Sequence, residues 1–295
     1  MQVIFYPDRF AEFYLSLIAK KNFMRTIIAP TDFSAVSLNA VNYAADLAAA
    51  INAELILLHV VQIPITVSEI PFTLFEYEEI MEDPKRELAI LVNQLFIRTK
   101  EKINIHHQVM IGSVSGQLKN ICERRKPFAI VMGTRGAGAV DRFFFGSNTM
   151  YAVNNSQYPV LVVPQNASFR GIKKIALASD LKEIEIASTK FFEEWLTNFH
   201  ATLDIINVSE SENINADAVS GSISLQNLLR EFHPHFHFID KENVEKGVYE
   251  FVKLNEPDLL IVIPKKRGFF GALFHKSQSK EFILHPHIPI LAISE

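Results

Sequence analysis

Short apolar strands alternating with amphipathic helices, written twice along one chain, predict an α/β protein of two tandem Rossmann-like, doubly wound domains. The first observation is continuous apolar runs such as residues 55–61, LILLHVV, which lack a polar face and so need helices covering both sides of a parallel sheet. The second is a repeat. KPFAIVMG and the later YPVLVVP, between Pro127 and Pro159, recur without a gap 130 residues on as EPDLLIVI and IPILAIS, between Pro257 and Pro289. The third is that RTIIAPTD recurs as KKIALASD 148 residues on, so Asp180 answers Asp32. The second copy is therefore about 18 residues shorter, with the loss around its second helix.

In the first copy, residues 26–29 read as a buried strand. Leu38, Val41, Ala45, Ala48 and Ile51 recur at helical spacing after the potential caps Asp32 and Ser34. A second strand spans 55–61. Pro84 is read as the start of a helix through about residue 96, since proline is tolerated in a first turn. Strand 105–110, helix 115–122 and strand 128–132 follow, then a glycine-rich loop, a helix from about Ser147 and strand 160–163. The second copy repeats the order: strand 175–178, helix 189–199, strands 203–208 and 235–239, helix 244–254, and strands 259–263 and 290–293. The seam falls near 164–171, giving an N-terminal extension at 1–23 and units at 24–165 and 172–295. The repeat pattern begins abruptly at Met24, which is expected to be the natural start unless 1–23 is a loosely attached leader.

Composition narrows the function classes. A chain of 295 residues that is 48% hydrophobic and 21% charged is ample for ordinary cores and is not disordered. A net charge of -4 lacks the basic footprint of a nucleic-acid binder. One cysteine, Cys122, excludes an internal disulfide and any multi-thiolate metal cage, and fits a reducing, cytoplasmic setting. The apolar stretch at 13–19 is too short to span a membrane, so no insertion is expected.

The chemistry concentrates in MGTRGAGAVDRFFFGSNT, where Gly133, Gly136, Gly146 and Ser147 form G-x2-G-x9-G-S directly after a buried strand. A phosphate must approach main-chain amides closely, and glycines at a strand exit leave room for it. Gly146 and Ser147 then open a helix whose first amides attract an anion. If the first and fourth strands are neighbours, Asp32 faces this loop across the crevice where strand order reverses and can accept ribose hydroxyls. Dinucleotide and Walker patterns both fail for want of glycines at 141, 270 and 275.

PTDFS, the strand LLHV ending at Val60, MG-x2-G-x9-GS and the closing YPVLVVP together resemble the universal stress protein family, in its ATP-binding branch, as a tandem pair over about 24–295. The resemblance implies a five-stranded sheet of order 3-2-1-4-5 in each domain. It implies ATP, or AMP or ADP, with Mg. Adenine would lie near Pro30, Asp32 and Val60, ribose at Asp32, and phosphates at Gly133, Gly136, Gly146 and Ser147, with Met132 and Asn148 lining the same site. It also implies an intramolecular pairing of the two final strands, with a homodimer left open.

In the second copy Ile263, Lys266 and Lys276 stand where the first has Gly133, Gly136 and Gly146, while Asp180 and Ser277 persist. One nucleotide per chain is therefore expected. Lys265, Lys266, Arg267 and Lys276 read as a solvated basic loop. His235 and His237 alternate with Phe236 and Phe238 and read as the polar face of an edge strand rather than a metal site. His59 reads as structural more readily than catalytic, and Cys122 as a buried thiol. No convincing base stands near a terminal phosphate, Asp141 being the one loop carboxylate. The expected function is a cytoplasmic stress-response module that binds ATP or another adenine nucleotide without catalysis. A weak ATP hydrolase and a nucleotide-free interaction scaffold are the alternatives.

Overall fold

The computed structural model describes residues 24–62, 74–134, 146–181, 186–209, 216–241, 243–263 and 288–293. The first half runs β1 (Thr26–Pro30), α1 (Ala35–Ile51), β2 (Glu54–Val61), α2 (Leu74–Arg98), β3 (Ile105–Ile111), α3 (Val114–Arg125), β4 (Ala129–Gly133), α4 (Ser147–Asn155) and β5 (Val160–Val163). The second runs β6 (Lys174–Ala178), α5 (Ile186–Phe199), β7 (Thr202–Ser209), α6 (Ala216–Leu228), a 3-10 turn (Arg230–Phe232), β8 (His235–Asp240), α7 (Val244–Asn255), β9 (Leu259–Val262) and β10 (Ile290–Ala292).

The ten strands among the described residues form one sheet in the order β3-β2-β1-β4-β5-β10-β9-β6-β7-β8. Within each half the order is 3-2-1-4-5 and every pairing is parallel. Among the described residues the one antiparallel pairing joins β5 to β10, and there Leu161 lies opposite Leu291, its own counterpart in the repeat. A local two-fold relation therefore passes through that residue pair.

Strand alternation explains the two helix layers. Ile27, Ala29, Leu55 and Leu57 bury one face under α1, α2, α5 and α6; Ile28, Ile56 and Leu58 bury the other under α3, α4 and α7. Both cores run through both halves. Across the join Phe128 stacks on Trp195 at 4.8 Å, and the Asn39 amide donates to the carbonyls of Pro164 and Ala167 at 2.9 and 3.0 Å, holding the linker on α1.

The structure corrects one helix. Pro84 does not begin it but lies inside α2. Met81, Leu88, Leu91 and Leu95 are all buried and continue one helical stripe through the proline. Burying that stripe outweighs the roughly 3 kcal/mol that an interior proline costs. In the second half the corresponding helix, α6, has 13 residues against 25 in α2, which accounts for most of the shortening. None of the helices among the described residues is long and apolar enough to cross a membrane.

Candidate functional site

β1 and β4 are adjacent, with Ile28 opposite Ile130, so the same register brings Pro30 level with Met132. The chain turns toward β2 from one and toward β5 from the other, which makes their carboxyl ends the switch-point crevice of the first half. Pro30 and Met132 are buried in its floor, Val60 is half-buried at the end of β2, and Asp32 is exposed two residues beyond the end of β1.

The turn that carries Asp32 is closely tied. The Thr31 N–H donates to Leu58 O at 2.8 Å, and the Phe33 N–H donates to Thr31 Oγ1 at 3.0 Å. Phe33 has φ +61°, a left-handed conformation that costs a bulky residue of order 1 kcal/mol or more. The Ser34 N–H and Oγ–H both donate to Asp32 Oδ1, at 3.1 and 2.6 Å, while Ser34 Oγ accepts the Ser37 N–H as the cap of α1. Sequence reading offered Asp32 and Ser34 alike as caps; the structure gives the cap to Ser34 and leaves Asp32 at the crevice. His59 Nδ1 lies 2.8 Å from Thr31 O, and its ring is 4.7 Å from that of Phe33.

On the opposite side, the Gly146 N–H donates to Thr134 O at 2.7 Å, so the exit of β4 and the start of α4 meet. Gly146 is the cap residue of α4 and makes no side-chain cap bond, whereas α1, α3 and α7 are capped by Ser34, Ser113 and Asn243. Among the described residues, the first amides of α4 thus lack the side-chain cap that α1, α3 and α7 have, and Ser147 and Asn148 there are exposed. Gly133 is buried, and its carbonyl accepts the Thr149 hydroxyl at 3.0 Å. A Cβ on Gly133 would lie 2.8 Å from Val36 Cγ1 and 2.9 Å from Val36 O, so α1 already occupies the space that this glycine leaves. Gly136, Arg135, Asp141, Arg142, Phe143, Phe144 and Phe145 lie outside the described residues, as do Lys265, Lys266, Arg267, Phe269, Phe270, Lys276, Ser277, His285 and His287.

The second half keeps the turn of β1. The Ser179 N–H donates to Ile206 O at 2.9 Å, the Leu181 N–H donates to Ser179 Oγ at 3.0 Å, and Leu181 has φ +56°. The Asn207 amide donates to Ser179 O at 3.0 Å, in the place of His59. Sequence reading missed this network, although Thr31 with Ser179 and His59 with Asn207 both stand at the 148-residue offset. The other side of the crevice has changed: buried Ile263 follows β9 where Gly133 ends β4. Helix α6 also presses on the turn, since a Cβ on Gly221 would clash with the Leu181 carbonyl.

Among the described residues, no group of three His, Cys, Asp or Glu side chains is arranged to hold a metal. His237 Nε2 instead meets buried Asp204 at 2.8 Å, with His235 Nδ1 at 3.8 Å and Lys174 Nζ at 3.5 Å from the same carboxylate. Sequence reading had this face simply polar and missed Asp204. Cys122 is buried, and desolvation pushes its thiol up to about 12. Burial also raises the carboxyl of Glu245, whose Oε2 has no hydrogen-bond partner among the described residues.

Comparison with known proteins agrees with this geometry. A sequence model of the universal stress protein family matches residues 24–164. A universal stress protein of Methanocaldococcus jannaschii is 28% identical over 150 residues, covering 48% of this chain and 84% of its own length. The solved structure of a universal stress protein from Archaeoglobus fulgidus superposes with a TM-score of 0.69 at 17% identity, covering 90% of this chain and 97% of its own. A functionally unknown protein from Pseudomonas aeruginosa PAO1 gives 0.52 at 11% identity, covering 92% of each chain. The two structural likenesses establish the fold over both halves, and the sequence match identifies the segment at 24–164 as a universal stress protein family domain.

Proposed function

We propose that the first unit, residues 24–165, binds an adenine nucleotide, ATP with Mg foremost and AMP or ADP by the same contacts, and acts as a nucleotide-responsive stress-response module in the cytoplasm. The observation that carries this reading is the pairing across one switch point of an exposed carboxylate, Asp32, with the uncapped amino terminus of α4. The two suit the two ends of a nucleotide: a carboxylate accepts from ribose hydroxyls, and the first helix amides, at the positive helix end, donate to an anion. Pro30, Val60 and Met132 would border the base, Ser147 and Asn148 the phosphates with Gly146, and Gly136 would complete the loop. The residues present fit such a ligand on both sides of the crevice. ATP, when bound, would supply the charged phosphates to which the first amides of α4 donate.

The second unit, 172–295, is read as a partner that binds no nucleotide, since Ile263 stands in the Gly133 position and α6 covers the retained turn. The antiparallel β5–β10 seam supports an intramolecular pairing of the two units, to which a pairing of chains could be added. The Val36 contact favours a second reading, a nucleotide-free interaction scaffold, because it explains Gly133 by packing alone. Calorimetric titration with Mg-ATP separates them. The nucleotide reading expects one site per chain, lost in Asp32→Ala, and a stability gain of about 2.7 kcal/mol at a hundredfold excess over the Kd. A folded chain that stays empty in millimolar Mg-ATP establishes the scaffold, and two equivalent sites overturn the assignment of the second unit.

A further inference from the structure

The turns that follow β1 and β6 are held by the same bonds with different side chains. In one, His59 Nδ1 lies 2.8 Å from Thr31 O; in the other, the Asn207 amide donates to Ser179 O at 3.0 Å. A main-chain carbonyl has no hydrogen to give, so the ring nitrogen is the donor, as the amide is in the second half. Neutral His59 is therefore the Nδ1–H tautomer, with its lone pair on Nε2. The ring also lies on Phe33, the residue held in the left-handed conformation, as Leu181 is in the second turn. His59 thus touches both ends of the three-residue turn that has Asp32 at its centre.

We propose that His59 is a positioning residue of the crevice: its Nδ1–H, given to Thr31 O, and its ring, laid on Phe33, clamp the turn that carries Asp32, and ligand binding there depends on the clamp. The ligand in this proposal rests on the nucleotide reading above; the clamp itself does not. The second half supplies the conservative replacement, because asparagine already makes the equivalent bond there.

Mg-ATP affinity is measured for the full chain and for His59→Leu, His59→Asn and Asn207→Leu, together with amide hydrogen exchange at Phe33 and Leu181 and nitrogen NMR of the His59 ring. His59→Leu weakens binding roughly tenfold or more, about 1.4 kcal/mol. His59→Asn, which keeps the bond to Thr31 O and gives up the ring on Phe33, weakens binding less than His59→Leu does. Asn207→Leu loses the same kind of bond far from Asp32; it keeps wild-type affinity while Leu181 exchanges faster. Wild-type affinity in His59→Leu overturns the proposal, and so does equal weakening by leucine and asparagine. If the wild type binds no Mg-ATP, the nucleotide reading falls and exchange decides the clamp. Faster Phe33 exchange in His59→Leu but not in His59→Asn, with the ring protonated on Nδ1, upholds it; unchanged exchange or an Nε2–H ring overturns it.

Discussion

Gly133→Ala tests what the glycine at the end of β4 is for. Its new Cβ would stand 2.8 Å from Val36 Cγ1 and 2.9 Å from Val36 O, both inside any ordinary contact. The side-chain carbon can turn away, but the carbonyl belongs to the first turn of α1, which is anchored through the Ser34 cap and its buried face. Overpacking of this kind costs about 1–3 kcal/mol, and the main-chain contact places the cost in the upper part of that range. Val36→Ala removes Cγ1 and leaves the carbonyl. The double variant should therefore recover roughly half of the loss, a coupling of about 1 kcal/mol between residues in contact. Urea unfolding at constant m-value measures all four proteins. Mg-ATP affinity on the same samples separates packing from ligand contact, because an affinity loss that Val36→Ala does not restore belongs to the ligand side. A Gly133→Ala protein as stable as the wild type, or a cycle with no coupling, refutes the packing explanation.

Glu245 should make the fold less stable as pH rises. Burial raises its carboxyl, so the folded chain keeps a proton that the unfolded chain releases; that contribution is complete below the ordinary glutamate range, about 4.3, and is lost as pH climbs through the folded value. Glu245→Gln should flatten this part of the stability profile and gain stability at neutral pH, and an unchanged profile counts against it. Cys122, buried and pushed up to about 12, should resist alkylation in the folded chain at pH 8 and react fully after denaturation, as mass spectrometry of the modified thiol will report. Gly221→Ala should displace α6 from Leu181 and cost several kcal/mol, since the obstructing atom is a main-chain oxygen; an unshifted denaturant midpoint contradicts that contact. Asp204→Ala should destabilise by about 1 kcal/mol or more by removing the shared acceptor of Lys174, His235 and His237, and a denaturation midpoint equal to that of wild type shows the cluster to be idle.

Much of the fold was legible because it depends on near neighbours in the chain. The continuous apolar strands, the helical spacing in α1, and the gap-free repeat each follow from what alternates over a few residues or recurs at one offset. Asp32 and the start of α4 were legible too, since a carboxylate after a strand and a glycine before a helix are local signals. Pro84 misled because a proline inside a helix looks like a beginning until the stripe of Met81, Leu88, Leu91 and Leu95 is seen to pack as one.

The amino-acid order alone thus determined two similar α/β units, which faces of their strands are buried, and that the first kept a glycine-rich exit the second lost. Only the tertiary structure decided that Val36 fills the space beside Gly133, that His59 and Asn207 hold matching turns, that Asp204 gathers Lys174, His235 and His237, and that Leu161 meets Leu291 in a single shared sheet. Periodicity reports which side of an element avoids water; it carries no record of which distant atom arrives there, and that is settled only when the layers close on one another.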